Sequence, residues 1–325
     1  MQKRLIINSE SVSLKMSATN PKHLLVISGP TAVGKTALAI TLAQMYHTVV
    51  LSADSRQVFK EMAIGTAKPS LEERQGVMHY FIDHVSIHDR PIYDAAQFEK
   101  EAIALLEELF QQHDIVIMAG GSGLYVNAVL NGLDDMPEIP DAIRNTLTKE
   151  LEEKGLNILL QELQDKDPLY YDKVDRGNAR RVQRALEVIR HTSQSFSNFH
   201  TGEKKVRPFH VLHIGLELDR QELNERINKR MELMLQEGLE EEANALYPYR
   251  ELNALQTVGY KEIFEYKEGV YGKEEMVEKL KQHSRQYAKR QMTWLKKDDS
   301  ICWFHPEEQE RIFQYINQQL KKVSR

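Results

Sequence analysis

Gly29-Pro30-Thr31-Ala32-Val33-Gly34-Lys35-Thr36 completes a G-x-x-x-x-G-K-[ST] phosphate loop, and its setting decides the fold. The apolar run HLLVIS (23–28) before it predicts a buried strand, and TALAITLAQMYH (36–47) after it predicts a helix. In that order, backbone N–H groups and a helix N-terminus converge on an anion. Gly29 and Gly34 permit the tight backbone. Lys35 brings positive charge to terminal phosphate oxygens, and the Thr36 hydroxyl is the candidate Mg²⁺ ligand. Four fixed positions in eight recur by accident, so the flanking strand and helix carry the reading: residues 29–36 are expected to bind a di- or triphosphate.

Outward from the loop, TVVLSAD (48–54) and DIVIMAGG (114–121) are further strand-like runs. A helical pattern with Phe98, Ala102, Leu105 and Leu109 on one face precedes the latter. Strands alternating with helices predict an α/β fold, a parallel sheet covered on both sides, with ligands at the strands' carboxyl ends. FHVLHIGLELD (209–219) is expected to return to that sheet. NGLDDMPEIP (131–140) is turn-rich, and polar helical patterns follow it to about Ile189. The expected organisation is a disordered extension over residues 1–20, a phosphate-loop core over 21–133 and 207–325, and an all-helical insertion over 134–206. Met16 is an alternative start.

With 41% hydrophobic and 28% charged residues, the 325-residue chain has a globular composition and room for one large or two moderate domains. The single cysteine, Cys302, excludes an internal disulfide and a Cys-rich zinc site, which fits a reducing cytoplasm. No apolar stretch approaches the ~20 residues of a membrane span, and the first residues are no convincing signal peptide. A net charge of −5 argues against indiscriminate nucleic-acid binding but averages over basic segments.

Asp54 closes the second strand, where a carboxylate faces the loop as metal ligand, general base or simple turn cap. The third strand ends Ala119-Gly120-Gly121-Ser122-Gly123, leaving room for a ligand close to backbone, with Ser122 as hydroxyl donor. In NARRVQRALEVIR (178–190), Arg180, Arg181 and Arg184 lie off the apolar stripe. Lys281, Arg285 and Lys289 share a helical face near the C-terminus, followed by Arg290, Lys296 and Lys297 with Tyr287 and Trp294 interleaved. One such strip is ordinarily a solvated face; two in an acidic chain point to nucleic acid. Arg226 and Arg230, one turn apart, suit a pyrophosphate clamp, with pairing of Arg226 to Glu222 or Glu225 as the alternative. His79, His84 and His88 lack the cysteine partners of a zinc site.

GPTAVGKT, SADSRQVF, IGTAKP, AGGSGLY, RRVQRALEV, TVGYKE and RQYAKRQMTW, in this order, resemble the bacterial tRNA dimethylallyltransferase (tRNA isopentenyltransferase) family, from about Leu24 to Trp294. Ala63, Met78, Ser122 and residues 175–178 depart from its usual Asp, Pro, Thr and His-Pro-Asn-Asp-like stretch. The resemblance implies transfer of a dimethylallyl group from dimethylallyl diphosphate to N6 of the adenosine 3′ of the anticodon, in tRNAs reading codons that begin with U. It implies Asp54 as the base, Lys35 and Mg²⁺ on the leaving diphosphate, and Ser122 and Arg226 as helpers. Asp54, Ser55, Arg56 and Gln57 would hold the flipped base, with Ser122 beside them. The anticodon stem-loop would be gripped by Arg144, by Arg180, Arg181, Val182, Gln183 and Arg184, by Gln256, Thr257, Val258, Gly259, Tyr260 and Lys261, and by Lys289, Arg290, Gln291 and Trp294. A cytoplasmic monomer is expected. The residues alone leave open an ATP-dependent small-metabolite kinase and a nucleotide-gated RNA-binding protein.

Overall fold

The computed structural model describes residues 21–323, so the expected N-terminal extension lies outside the described residues. Six parallel strands form the sheet: β1 (His23–Ser28), β2 (Val50–Ser52), β3 (His79–Tyr80), β4 (Ile115–Gly120), β5 (His210–Leu216) and β6 (Cys302–Phe304). Their order is β3-β2-β4-β1-β5-β6. Sequence reading locates β1, β2, β4 and β5. The edge strands β3 and β6, two and three residues long, escape it.

Central strands buried on both faces read as continuous apolar runs, and β1 divides its side chains accordingly. Leu24 and Val26 enter one core, with α2 (Ala95–Leu109), α3 (Gly123–Asn131), α9 (Leu239–Leu246) and α10 (Tyr260–Lys267). Leu25 and Ile27 enter the other, with α1 (Lys35–Met45) and α12 (Gln309–Val323). Two long helices, α8 (Arg220–Gln236) and α11 (Lys273–Leu295), contribute side chains to both cores and pack on each other.

Between β4 and β5 come α4 (Asp141–Lys154), α5 (Leu156–Lys166), α6 (Pro168–Lys173) and α7 (Ala179–Thr192). Their buried cluster, from Ile139 to Phe196, draws on no residue of the sheet. Asn178 starts α7 by accepting the Arg181 N–H, and Val182, Ala185, Leu186 and Ile189 form its buried stripe. Arg190 joins three of these helices, bonding Glu150 at 2.7 Å and also Glu162. No helix among the described residues is long and apolar enough to cross a membrane.

Leu186 is fully buried in this separate cluster. Leu186→Ala should lower unfolding stability by about 3 kcal/mol in urea denaturation; a loss below about 1 kcal/mol would mean that the site collapses around the missing methyls.

Candidate active site

β1, β2 and β4 end side by side, and above them opens a cleft lined by Lys35, Thr36, Asp54, Arg230 and Tyr287. The phosphate loop is its floor. Gly34 has φ +105°, a left-handed conformation open to glycine and strained for other residues. Among the described residues, no group bonds the N–H of Ala32, Val33, Gly34, Lys35 or Thr36. Five consecutive unpaired amides at a helix N-terminus form an anion nest. Lys35 Nζ donates to the Pro30 carbonyl at 2.7 Å. Withdrawal from water, then the like charge of Arg230, pulls Lys35 down to about 8, against the opposing effect of Asp54. Arg230 reaches in from α8, its Nη1 3.3 Å from the Thr31 hydroxyl. Burial lowers its pKa too, while Glu73 and Asp54 support its charge.

Asp54 stands one strand from the loop. Its Oδ1 accepts the N–H groups of Arg56 (2.8 Å) and Gln57 (3.2 Å), capping the turn. Oδ2 has no protein partner among the described residues. The cap reading and the base reading are therefore compatible, each using its own oxygen. Ser122 Oγ accepts the Ser55 N–H at 3.0 Å, tying the end of β4 to the Asp54 turn. Tyr287 of α11 lines the cleft beside Ser122; burial and then the Asp54 charge push its phenol up to about 12, so it stays protonated.

Several site expectations change in three dimensions. Arg226 pairs with Glu222 at 2.8 Å, and the cleft guanidinium is that of Arg230, one turn further along the same side of α8. Val182 is fully buried in the helical core and offers RNA no side chain. Tyr260 is equally buried and donates to Glu242 at 2.6 Å. Glu242 also accepts the N–H groups of Ala63, Ile64 and Gly65, pinning the IGT turn. Gln291 is buried between the phosphate loop and β4, away from any exposed RNA surface. Gln57 lines the cleft, but its amide already bonds Thr66, Ala67 and Ser52. Lys281 pairs with Glu232 and Arg285 bonds Asn228, so the C-terminal strip is interrupted by contacts to α8.

Other candidates stay at the surface or the cleft wall. Thr257, Val258 and Gly259 line the cleft. Gln256 and Lys261 are exposed. Arg144 and Arg184 share Glu187, at 3.9 and 2.9 Å. Arg180, Arg181, Lys289 and Arg290 are exposed, and no acidic group pairs with them among the described residues. Gln183 is half-buried, and Trp294 is 39% exposed. His79 bonds the Val77 carbonyl, His84 bonds Glu101, and His88 meets the Tyr249 ring, so the three histidines do not converge. Sequence reasoning missed Glu242 and the Met231–Met234 wall, and it set Tyr287 on the RNA-facing basic strip where the structure turns it into the cleft. The spacing Ser284, Tyr287, Ala288, Gln291 was the available signal that one face of α11 turns inward.

A phosphate loop with an open amide nest, facing a strand-end carboxylate across a parallel sheet, makes this an α/β enzyme of the P-loop class. Within that class the chain belongs to the IPP transferase family, whose model matches residues 57–298. It is 50% identical over 301 residues to a tRNA dimethylallyltransferase of Cytophaga hutchinsonii, covering 93% of this chain and 98% of the relative. Identity to tRNA dimethylallyltransferase 1 of Bacteroides fragilis is 46% over 300 residues, 92% and 99% of the two chains. The solved full-length tRNA isopentenylpyrophosphate transferase of Bacillus halodurans matches with a TM-score of 0.68 at 35% identity, covering 93% and 98%. A eukaryotic dimethylallyltransferase, solved acting on tRNA, matches with a TM-score of 0.69 at 30% identity, covering 84% and 70%.

An anion binds best while Lys35 carries its proton, which the free protein loses above about pH 8. Affinity for inorganic pyrophosphate should therefore fall roughly tenfold per pH unit above that point, in calorimetric titrations. A flat profile to pH 10 would remove Lys35 from anion binding. Arg230→Ala should weaken the same affinity about a hundredfold and Arg226→Ala less than about twofold; equal effects would restore Arg226 to the site.

Proposed function

We propose that the protein transfers a dimethylallyl group from dimethylallyl diphosphate to N6 of the adenosine immediately 3′ of the anticodon, releasing diphosphate. The tRNAs are those reading codons that begin with U, and the setting is the cytoplasm. The observation that carries this reading is a single cleft holding an anion nest, a carboxylate across from it, and an apolar wall of Met231, Met234, Leu239 and Val258. Family membership makes the chain a tRNA-modifying transferase, and the relatives' names supply tRNA as acceptor.

Dimethylallyl diphosphate suits that cleft by parts. Its diphosphate meets the amides of residues 32–36, Lys35 and Arg230. Met231, Met234, Leu239 and Val258 line the cleft beside Arg230 and offer its short branched tail an apolar surface. The adenosine amine is a poor nucleophile, because its lone pair is delocalised into the ring. It attacks the allylic carbon as the C–O bond breaks and the electron pair leaves with the diphosphate. Amides and cations already aimed at that oxygen stabilise the growing charge. Asp54 accepts the N6 proton; its Oδ1 is held by two N–H groups, and Oδ2 is available. Among the described residues no cluster of three His, Cys, Asp or Glu side chains forms a metal cage. The Thr36 hydroxyl, lining the cleft, would give a Mg²⁺ one hard oxygen donor, with diphosphate and water supplying the rest. When bound, the ion neutralises charge on the leaving group.

The base must leave the anticodon stack to reach the cleft, so the RNA is held from outside while one nucleotide enters. Lys289, Arg290 and Trp294 on α11, and Arg180 and Arg181 on α7, are placed for phosphate and stacking contacts. One protein copy suffices, since every group used belongs to one chain.

Label from radiolabelled dimethylallyl diphosphate should enter unmodified anticodon stem-loop RNA with Mg²⁺ and without ATP. It should be lost when the target adenosine is replaced; ATP-dependent phosphate transfer instead would overturn the reading. Asp54→Ala should reduce turnover about 10³-fold with RNA affinity nearly intact, and near-normal single-turnover rates would disprove the base. Lys289→Glu with Arg290→Glu should weaken RNA binding and lower its salt slope by about two; an unchanged slope would take α11 out of the interface.

A further inference from the structure

Gln291 ties the phosphate loop to the end of β4 through two side-chain hydrogen bonds. Its side-chain carbonyl accepts the Thr31 N–H at 2.9 Å, and its amide nitrogen donates to the Gly121 carbonyl at 2.9 Å. The residue is 8% exposed, and its bond to Gly121 is buried. A Cβ on Gly121 would stand 2.3 Å from the Gln291 nitrogen; the β4 turn is bare where the amide passes. Thr31 is gripped a second time by Arg230, at its hydroxyl. The anion nest therefore begins at Ala32, directly after a residue whose own N–H is already taken.

We propose that Gln291 is a positioning residue for the transfer reaction: it sets the phosphate loop at a fixed height over the cleft, between α11 and the end of β4, and does not contact RNA. This rests on the transferase reading for its consequence in catalysis, but not for its effect on anion binding. A loop released from Gln291 keeps its five amides and Lys35 yet no longer holds them converged before the anion arrives. The ordering cost then falls on binding.

The test uses the full-length protein and inorganic pyrophosphate with Mg²⁺, followed by calorimetry. Gln291→Met keeps the side-chain length without either hydrogen bond. It should weaken pyrophosphate about tenfold or more, while affinity for anticodon stem-loop RNA changes less than about twofold. Weakened RNA binding with pyrophosphate unchanged would overturn the proposal and make Gln291 an RNA contact. Gln291→Glu separates positioning from mere packing. Protonated, the introduced carboxyl offers the same acceptor and donor pair; ionised, it opposes both the Gly121 carbonyl and the anion. Its pyrophosphate affinity relative to wild type should therefore fall as pH rises through the carboxyl's burial-raised pKa. A ratio independent of pH would overturn the proposal. Pyrophosphate binding is read without turnover, so this result stands apart from the labelling experiment: label absent from RNA would sink the transferase reading, whereas unchanged pyrophosphate affinity in Gln291→Met would sink the positioning role alone.

Discussion

The structure depends on β1 lying between β4 and β5 in parallel register. Ser28 pairs with Gly120 on one side and Gly215 on the other. That register makes the phosphate loop leave the sheet level with the glycine-rich end of β4, and Ala53 N–H bonds Ala119 one strand further on. The approach is so close that a Cβ on Gly120 would lie 2.1 Å from the Ala53 carbonyl oxygen. Loop, carboxylate and bare turn therefore meet because three adjacent strands end together, and each element owes its place to backbone pairing.

Charge within this convergence is unbalanced until a ligand arrives. Lys35 and Arg230 are like charges withdrawn from water, each lowering its comfort as a cation, and Asp54 offsets only part of that cost. An anion held in the amide nest would relieve both cations at once. The protein has built unfavourable local electrostatics into its free state, stabilised by two apolar cores on either side of the sheet. This is also why Arg230, and not the exposed Arg226, has chemical leverage: a guanidinium paired with Glu222 in water has little left to offer an anion.

α11 joins the cleft to the outer surface. Its inward face carries Ser284, Tyr287 and Gln291 into the cleft, and its outward face carries Lys289 and Arg290. Trp294 lies over Gly123, where any Cβ would meet its ring at 2.2 Å. The helical unit of residues 139–199, with its own core, stands beside these groups on two strands of chain. Glu99 fastens both to the body, accepting Leu133 N–H at 2.9 Å and Arg207 at 2.8 Å.

Much of this was legible in the chain because it is local. Residues 29–36 between an apolar run and a helical run fix the strand–loop–helix unit, and the apolar runs fix the four long strands, since sheet and helix periods are properties of neighbouring residues. Asp54 and Lys35 were identifiable because strand ends dictate where a site lies. What the tertiary structure decided is which way long-range side chains point. Arg226 and Arg230 are equivalent on sequence spacing, and only the packing of α8 decides that Arg230 and not Arg226 lines the cleft. Val182 lies on the apolar stripe that the helical period of α7 already shows, and only the family resemblance set it against RNA; Tyr260 sits in a polar motif yet fills a core, because its burial is set by contacts between segments far apart in the chain.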